Sequence, residues 1–130
     1  MLANLAGNGL EEYLETNGTY DFHYFAGEAF IPAGGQGILA VEGRIEDRIC
    51  EMAVRIQDED AKTCLMLERK ILKLLDAGCH EPVGVYSRIR GEEIEVFGIS
   101  RRDRETKRVY LTGGIGELDL LAERAAKGLR

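Results

Sequence analysis

Between residues 58 and 77 the apolar positions recur at the spacing of a helix packed on a core. Ala61, Cys64, Leu65, Leu72 and Leu75 form one stripe, widened by Leu67, Ile71 and Leu74, which is the i, i+3, i+4, i+7 pattern of an amphipathic helix. The acidic run at Asp58, Glu59 and Asp60 suits the positive N-terminal end of that helix, with Asp58 as its expected N-cap. Gly78 is the expected left-handed residue at the other end, and Pro82 keeps the helix from resuming. The loop Gly-Cys-His-Glu-Pro-Val-Gly at 78–84 therefore leaves a rigid mount, and Cys79 falls in its first turn.

Beyond this loop the period changes to two. Val83, Val85 and Ile89 open a strand, Gly91, Glu92 and Glu93 turn the chain, and residues 94–99 alternate as a second strand. Residues 102–106 form a polar turn and 108–111 a third strand; connections this short predict an antiparallel meander. Gly113, Gly114 and Gly116 are expected to break the sheet as a loop. A last helix follows with Leu118, Leu121, Ala122 and Ala125 on its apolar side. The expected fold class is α+β: a three-stranded antiparallel sheet covered by helices on one face, in the order α-β-β-β-α, over residues 56–130.

Upstream the pattern is weaker. The apolar run at 38–41 reads as a buried strand, and residues 46–57 as a short amphipathic helix with Ile45, Ile49, Met52, Ala53 and Ile56 on one face. Leu10, Tyr13 and Leu14 suit a short helix ended at Asn17 and Gly18. Tyr20, Phe22, Tyr24, Phe25 and Phe30 crowd five of the nine aromatic residues into one stretch, and a lone domain seldom exposes such a cluster. Residues 1–55 thus read as an orphan strand and helix preceding the α-β-β-β-α unit.

Composition narrows the partners. At 130 residues, 45% hydrophobic and 31% charged, the chain has the size and balance of a soluble globular domain. A net charge of −6 argues against nucleic acid and against an anionic membrane surface. No apolar run has the length of a membrane span, and residues 1–10 do not read as a signal peptide. Three cysteines, far apart and without a Cys-x-x-Cys pair, fit a reduced, cytoplasmic protein.

The candidate chemistry has bland and sharp readings. Cys79 is either a partly buried loop cysteine or an attachment point. A tether suits it better than an activated nucleophile, because the negative end of the preceding helix disfavours a thiolate. Cys64, on the apolar stripe, is a small core residue, and Cys50 has no assigned role. His23 and His80 lack any recognised zinc spacing with the cysteines, so no metal site is expected. Neither glycine cluster, at 34–37 or 113–116, has the Gly-x-x-x-x-Gly-Lys pattern of a phosphate loop. Arg101, Arg102, Arg104, Lys107 and Arg108, interleaved with Asp103 and Glu105, read as a solvated hairpin end, with an acidic partner as the other option.

Two segments in series carry a resemblance. Residues 31–37, Ile-Pro-Ala-Gly-Gly-Gln-Gly, lead into the apolar run 38–41 and then Glu42-Gly43-Arg44. Glu68-Arg69 follow on the long helix, and then the loop at 78–84. This order resembles the Leu-Pro-Ala-x-Gly-Gln-Gly loop, the Glu-Arg helix and the Gly-Cys-x-x-Pro-hydrophobic-Gly loop of porphobilinogen deaminases, over about residues 28–130. Gly43 and His80 depart from common residues of that family. The resemblance implies an enzyme that links four porphobilinogen molecules into a linear tetrapyrrole, hydroxymethylbilane. It implies a dipyrromethane cofactor joined by a thioether to Cys79, with Gln36 and Gly37 beside it.

It further implies that residues 56–130 are a C-terminal, cofactor-carrying domain and 1–55 a remnant of preceding domains. The catalytic aspartate and most of the substrate-binding arginines are then expected outside this chain, which alone should be inactive. Its expected partners are those N-terminal domains, porphobilinogen in the full enzyme, or a second copy paired through the exposed N-terminal segment. The competing reading is a binding module, because double-stranded-RNA-binding domains share the α-β-β-β-α layout. Those need basic residues at the start of the last helix, where this chain has Glu117 and Asp119.

Overall fold

A computed structural model describes residues 25, 26, 28–44, 48–78, 81–102 and 104–130. Among them, a short helix α1 (Arg48–Ala53) runs into a 3-10 turn (Val54–Ile56). The long helix α2 (Glu59–Leu74) follows, then strands β1 (Val83–Arg90), β2 (Glu93–Arg102) and β3 (Glu105–Gly114). A 3-10 turn (Ile115–Glu117) leads into the last helix α3 (Leu118–Leu129). The strands lie in the order β1-β2-β3 and both pairings are antiparallel, so the α+β meander holds.

Both ends of α2 are fixed by local chemistry. The Asp58 carboxylate accepts the Ala61 amide at 3.0 Å, satisfying one of the donors a helix start leaves free. At the other end the helix stops earlier than the apolar stripe suggested, and the left-handed residue is Asp76 (φ 53°), not Gly78. The Ala77 amide reaches Leu72 O at 3.0 Å and the Asp76 amide reaches Lys73 O at 3.1 Å, the paired bonds of a Schellman ending. Aspartate tolerates this backbone because its side chain is short and polar. The turn lets Leu75 stay in the core, 3% exposed.

The core fills the space between α2, α3 and one face of the sheet. Cys64, Leu67, Ile71 and Leu75 from α2 meet Leu121, Ala122, Ala125, Ala126 and Leu129 from α3 over Val85, Ile94 and Val96. The buried stripe of α2 is thus rotated from the expected one. Ala61, Leu65 and Leu72 are only half-buried, while the charged Glu68 is buried. Glycines let α3 approach: a Cβ on Gly98 would stand 2.7 Å from Leu129 Cδ1, and one on Gly113 3.0 Å from Leu121. Gly113 and Gly114 therefore belong to β3 rather than to a loop. The first hairpin turns on Gly91 (φ 65°) and Glu92 alone, and Glu93 already pairs within β2.

Two upstream expectations fail. Residues 38–41 form no strand: Leu39 is 83% exposed and Val41 is exposed with it. An apolar run becomes a strand only where another strand meets its backbone, and none does so among the described residues. The expected helix at 46–57 exists as α1 and its 3-10 turn, but its apolar side faces solvent, with Ile49, Met52 and Ile56 all exposed. Phe25 and Phe30 lie side by side with tilted rings, centroids 5.9 Å apart, and are both exposed. The helix expected near Leu10, the remaining aromatic residues Tyr20, Phe22 and Tyr24, and Ile45 lie outside the described residues.

Candidate functional site

The loop at 31–37 is seated on two elements of the domain. The Pro32 carbonyl accepts the Val85 amide at 2.9 Å, closing part of the outer edge of β1. Gly84 is required there, because a Cβ would come within 2.7 Å of Ile31 O. The loop then tightens through Gln36 N to Ala33 O at 3.1 Å, with Gly35 (φ 76°) and Gly37 (φ 84°) in backbone conformations that favour glycine.

Its underside rests on α2. Hypothetical Cβ atoms on Gly34 and Gly35 would stand 2.8 Å from Leu72 Cδ1 and 3.0 Å from Leu65 Cδ1. Between those leucines the Gly35 amide donates to Glu68 Oε2 at 2.7 Å. The loop's outer side is open. Gln36 and Gly37 are exposed, and nothing lies within 4 Å of where a Cβ on Gly37 would be. The backbone at Gly37 is thus open to approach, and the neighbouring Gln36 side-chain amide can both donate and accept.

The second loop leaves α2 through the Asp76 turn. Cys79 and His80 lie outside the described residues; the chain on either side of them is held. The Glu81 amide donates to Gly78 O at 3.1 Å, and Pro82 O accepts the Arg101 amide at 3.0 Å. Leu72 serves both sides of α2's ending: its side chain packs at Gly34, and its carbonyl accepts the Ala77 amide just before the second loop begins.

The negative end of α2 is not bare. Arg102 Nη2 donates to Leu75 O at 3.1 Å and sits 3.4 Å from Glu81, while Arg130 Nη2 donates to Leu74 O at 2.6 Å. Two guanidinium groups thus neutralise carbonyls that would otherwise repel an anion near this loop. Arg102 is accordingly not part of a solvated hairpin end. These arginines come from β2 and the C-terminus, so no local signal around residue 79 announces them.

Glu68, named above only as half of the Glu-Arg pair, is placed where the helical pattern did not put it. It is 4% exposed, and its Oε1 accepts the Ser87 amide at 2.7 Å and the Ser87 hydroxyl at 2.9 Å. Cys64 lies one turn earlier, and burial pushes its thiol pKa up, as a core residue requires.

The sheet face away from the helices carries a separate network. Tyr86, Phe97 and Tyr110 lie in register across the three strands, and the Arg88 guanidinium sits 5.2 Å from the Phe97 ring centroid. Glu95 pairs with Arg88 and accepts the Tyr110 hydroxyl at 3.0 Å. The Arg88 bond, aided by Tyr110, holds the Glu95 carboxyl below the usual carboxylate range, and the same contact raises Tyr110. None of these groups joins the two loops on α2. Among the described residues no three His, Cys, Asp or Glu side chains stand close enough to hold a metal ion, and no helix is long and apolar enough to cross a membrane.

Comparison with known proteins gives a consistent picture. The family described as porphobilinogen deaminase, C-terminal domain, matches residues 62–129, which include the loop at 78–84. The porphobilinogen deaminase of Alkaliphilus metalliredigens is 38% identical over 101 residues, covering 75% of this chain and 32% of that protein. A probable porphobilinogen deaminase of Methanothermobacter thermautotrophicus is 30% identical over 127 residues, 96% of this chain and 42% of that protein. The enzyme of Clostridium acetobutylicum is 28% identical over 123 residues, with 95% and 42% covered. The chain therefore spans well under half the length of these curated relatives.

Proposed function

The chain belongs to the porphobilinogen deaminase family, and on that premise we propose that it is the part of such an enzyme that holds the primer. In this reading Cys79 is joined by a thioether to dipyrromethane, and Gln36 and Gly37 lie beside it. The whole enzyme links four porphobilinogen units into hydroxymethylbilane, releasing ammonia, in cytoplasmic tetrapyrrole synthesis. When bound, the dipyrromethane supplies the free pyrrole end on which the product grows.

The observation that carries the reading is that Leu72 of α2 seats the glycine loop through its side chain and closes, through its carbonyl, the helix ending at Ala77 from which the second loop departs. One helix sets the open backbone at Gly37 and the start of the loop that bears Cys79. The residues of this chain hold and orient. The Cys79 sulfur fixes one end of the primer covalently, and a thioether once formed needs no ionisation. Gly37 leaves its backbone accessible, and the Gln36 amide offers a hydrogen-bonding group at the same surface. The groups that activate porphobilinogen belong to the remainder of the enzyme.

Residues 56–130 then form the cofactor-carrying domain. Residues 1–55 connect it to that remainder, and the exposed side chains Leu39, Val41, Ile49, Met52 and Ile56 are the contact. A second copy of this chain covers them when the remainder is absent. The layout shared with double-stranded-RNA-binding domains gains no support, since Glu117 stands at the N-cap of α3 and Asp119 in its first turn, and Asp119 is engaged with Lys70.

Incubation with porphobilinogen tests the reading. The chain alone should consume none; combined with a polypeptide supplying the remaining length of its relatives, it should turn the substrate over. Uroporphyrin formed by the chain alone, or an inactive combination that contains both folded parts, would contradict it.

A further inference from the structure

We propose that Glu68 is the positioning residue of the loop that carries Gln36 and Gly37, setting that loop's distance from the sheet through both oxygens of one buried carboxylate. The inference rests on the reading of Gln36 and Gly37 as cofactor-facing residues.

Glu68 occupies a place where packing alone would favour leucine. Its neighbours on the buried side of α2 are Cys64, Leu67, Ile71 and Leu75. Burying a carboxylate is costly unless its charge is met. Here no ion pair meets it among the described residues. Three N–H and O–H donors do, and they come from two different parts of the chain: Gly35 N on Oε2, and Ser87 N and Oγ on Oε1.

A carboxylate is the side chain that accepts at both ends. Glutamine of the same length would turn an NH2 group toward one of the backbone N–H groups, donor against donor. Aspartate would keep both acceptors but fall one methylene short of spanning loop and sheet. The loop side is the weaker of the two attachments, because Ser87 is also held by the β1–β2 pairing. A change at Glu68 therefore releases Gly35 first, one residue before Gln36.

Amide hydrogen exchange on the full chain tests this. In Glu68→Gln the Gly35 amide should exchange faster by on the order of tenfold or more, the worth of one charge-assisted hydrogen bond. Amides of β2, β3 and α3 should keep their protection. Glu68→Asp should release Gly35 as well, which supplies the reading if the glutamine variant does not fold. Ser87→Ala, which leaves the Gly35 bond untouched, should leave Gly35 protected. Unchanged protection of Gly35 in the glutamate variants, or a uniform loss across helices and sheet, would overturn the proposal and make Glu68 a support of the core alone.

A separate readout isolates the cofactor reading. If Gly35 is released in Glu68→Gln but the combined enzyme retains full occupancy of Cys79 and full turnover, Glu68 is no positioning residue and the proposal is overturned, while the assignment of Gln36 and Gly37, tested by their own substitution, stands apart from it.

Discussion

Leu72 and Gly34 are packed so closely that a single added carbon on Gly34 would stand 2.8 Å from Leu72 Cδ1. This contact seats the glycine loop on α2, on the same residue whose carbonyl begins the turn toward Cys79. Gly34→Ala meets only the end of a flexible side chain and should be tolerated. Gly34→Val has no such escape and should cost about 1–3 kcal/mol as an overpacked contact. Urea unfolding of the two variants checks this; equal midpoints would mean that the loop is not seated on Leu72.

The core and the upstream segment should differ sharply in their response to truncation. Ile71 is fully buried, so Ile71→Ala should destabilise the domain by about 2–5 kcal/mol. Leu39→Ala, at an exposed position, should stay within about 0.5 kcal/mol. Denaturant titration of both variants measures the contrast, and a large cost at Leu39 would show that residues 38–41 are packed after all.

Acid should weaken the arrangement around Glu95 later than an ordinary glutamate would predict. Its folded-state pKa is lowered by Arg88 and Tyr110, so its contribution is complete above the unfolded pKa. It is lost as the pH falls through the lower folded value. The stability difference between the parent and Glu95→Gln should therefore be constant near neutrality and shrink below the ordinary carboxylate range. A difference that grows on acidification would reverse the sign and refute the pairing.

The exposed apolar residues between 39 and 56 should drive association of the chain when nothing else covers them. Light scattering should report a mass that rises with concentration, and Ile49→Asp with Met52→Lys should suppress the rise. A monomer at all concentrations would remove the case for this surface as a contact.

The legible parts of the fold were those governed by local pattern. The N-cap at Asp58, the two hairpins and the apolar side of α3 follow from residues close in sequence, and each is present. The Glu68-Arg69 pair was readable as a motif, but the burial of Glu68 was not, because its donors, Gly35 and Ser87, lie 33 and 19 residues away; a charged residue on a helix reads as solvent-facing until such partners are known. Residues 38–41 misled for the opposite reason: a short apolar run suits a buried strand, but pairing is a property of two segments. The glycines at 113 and 114 looked like a break because glycine weakens strands, whereas here they make room for Leu121 and the turn into α3. The order of the two loops was readable; the seating of the first on Leu72, next to the helix ending that leads to the second, needed three dimensions.

Cys64 and Cys79 should separate in their chemistry. Cys64 is buried and its thiol pKa is raised, so a maleimide should label Cys79 first in the chain alone, where no primer is expected. The most direct measurement of the central claim is intact-mass analysis of this chain recovered from an enzyme completed by the rest of its relatives' length and active on porphobilinogen, with peptide mapping of residue 79. The expected result is a mass increase of two condensed pyrrole units located on Cys79, with no maleimide uptake there. An active enzyme in which Cys79 is unmodified and takes up the maleimide would contradict the account.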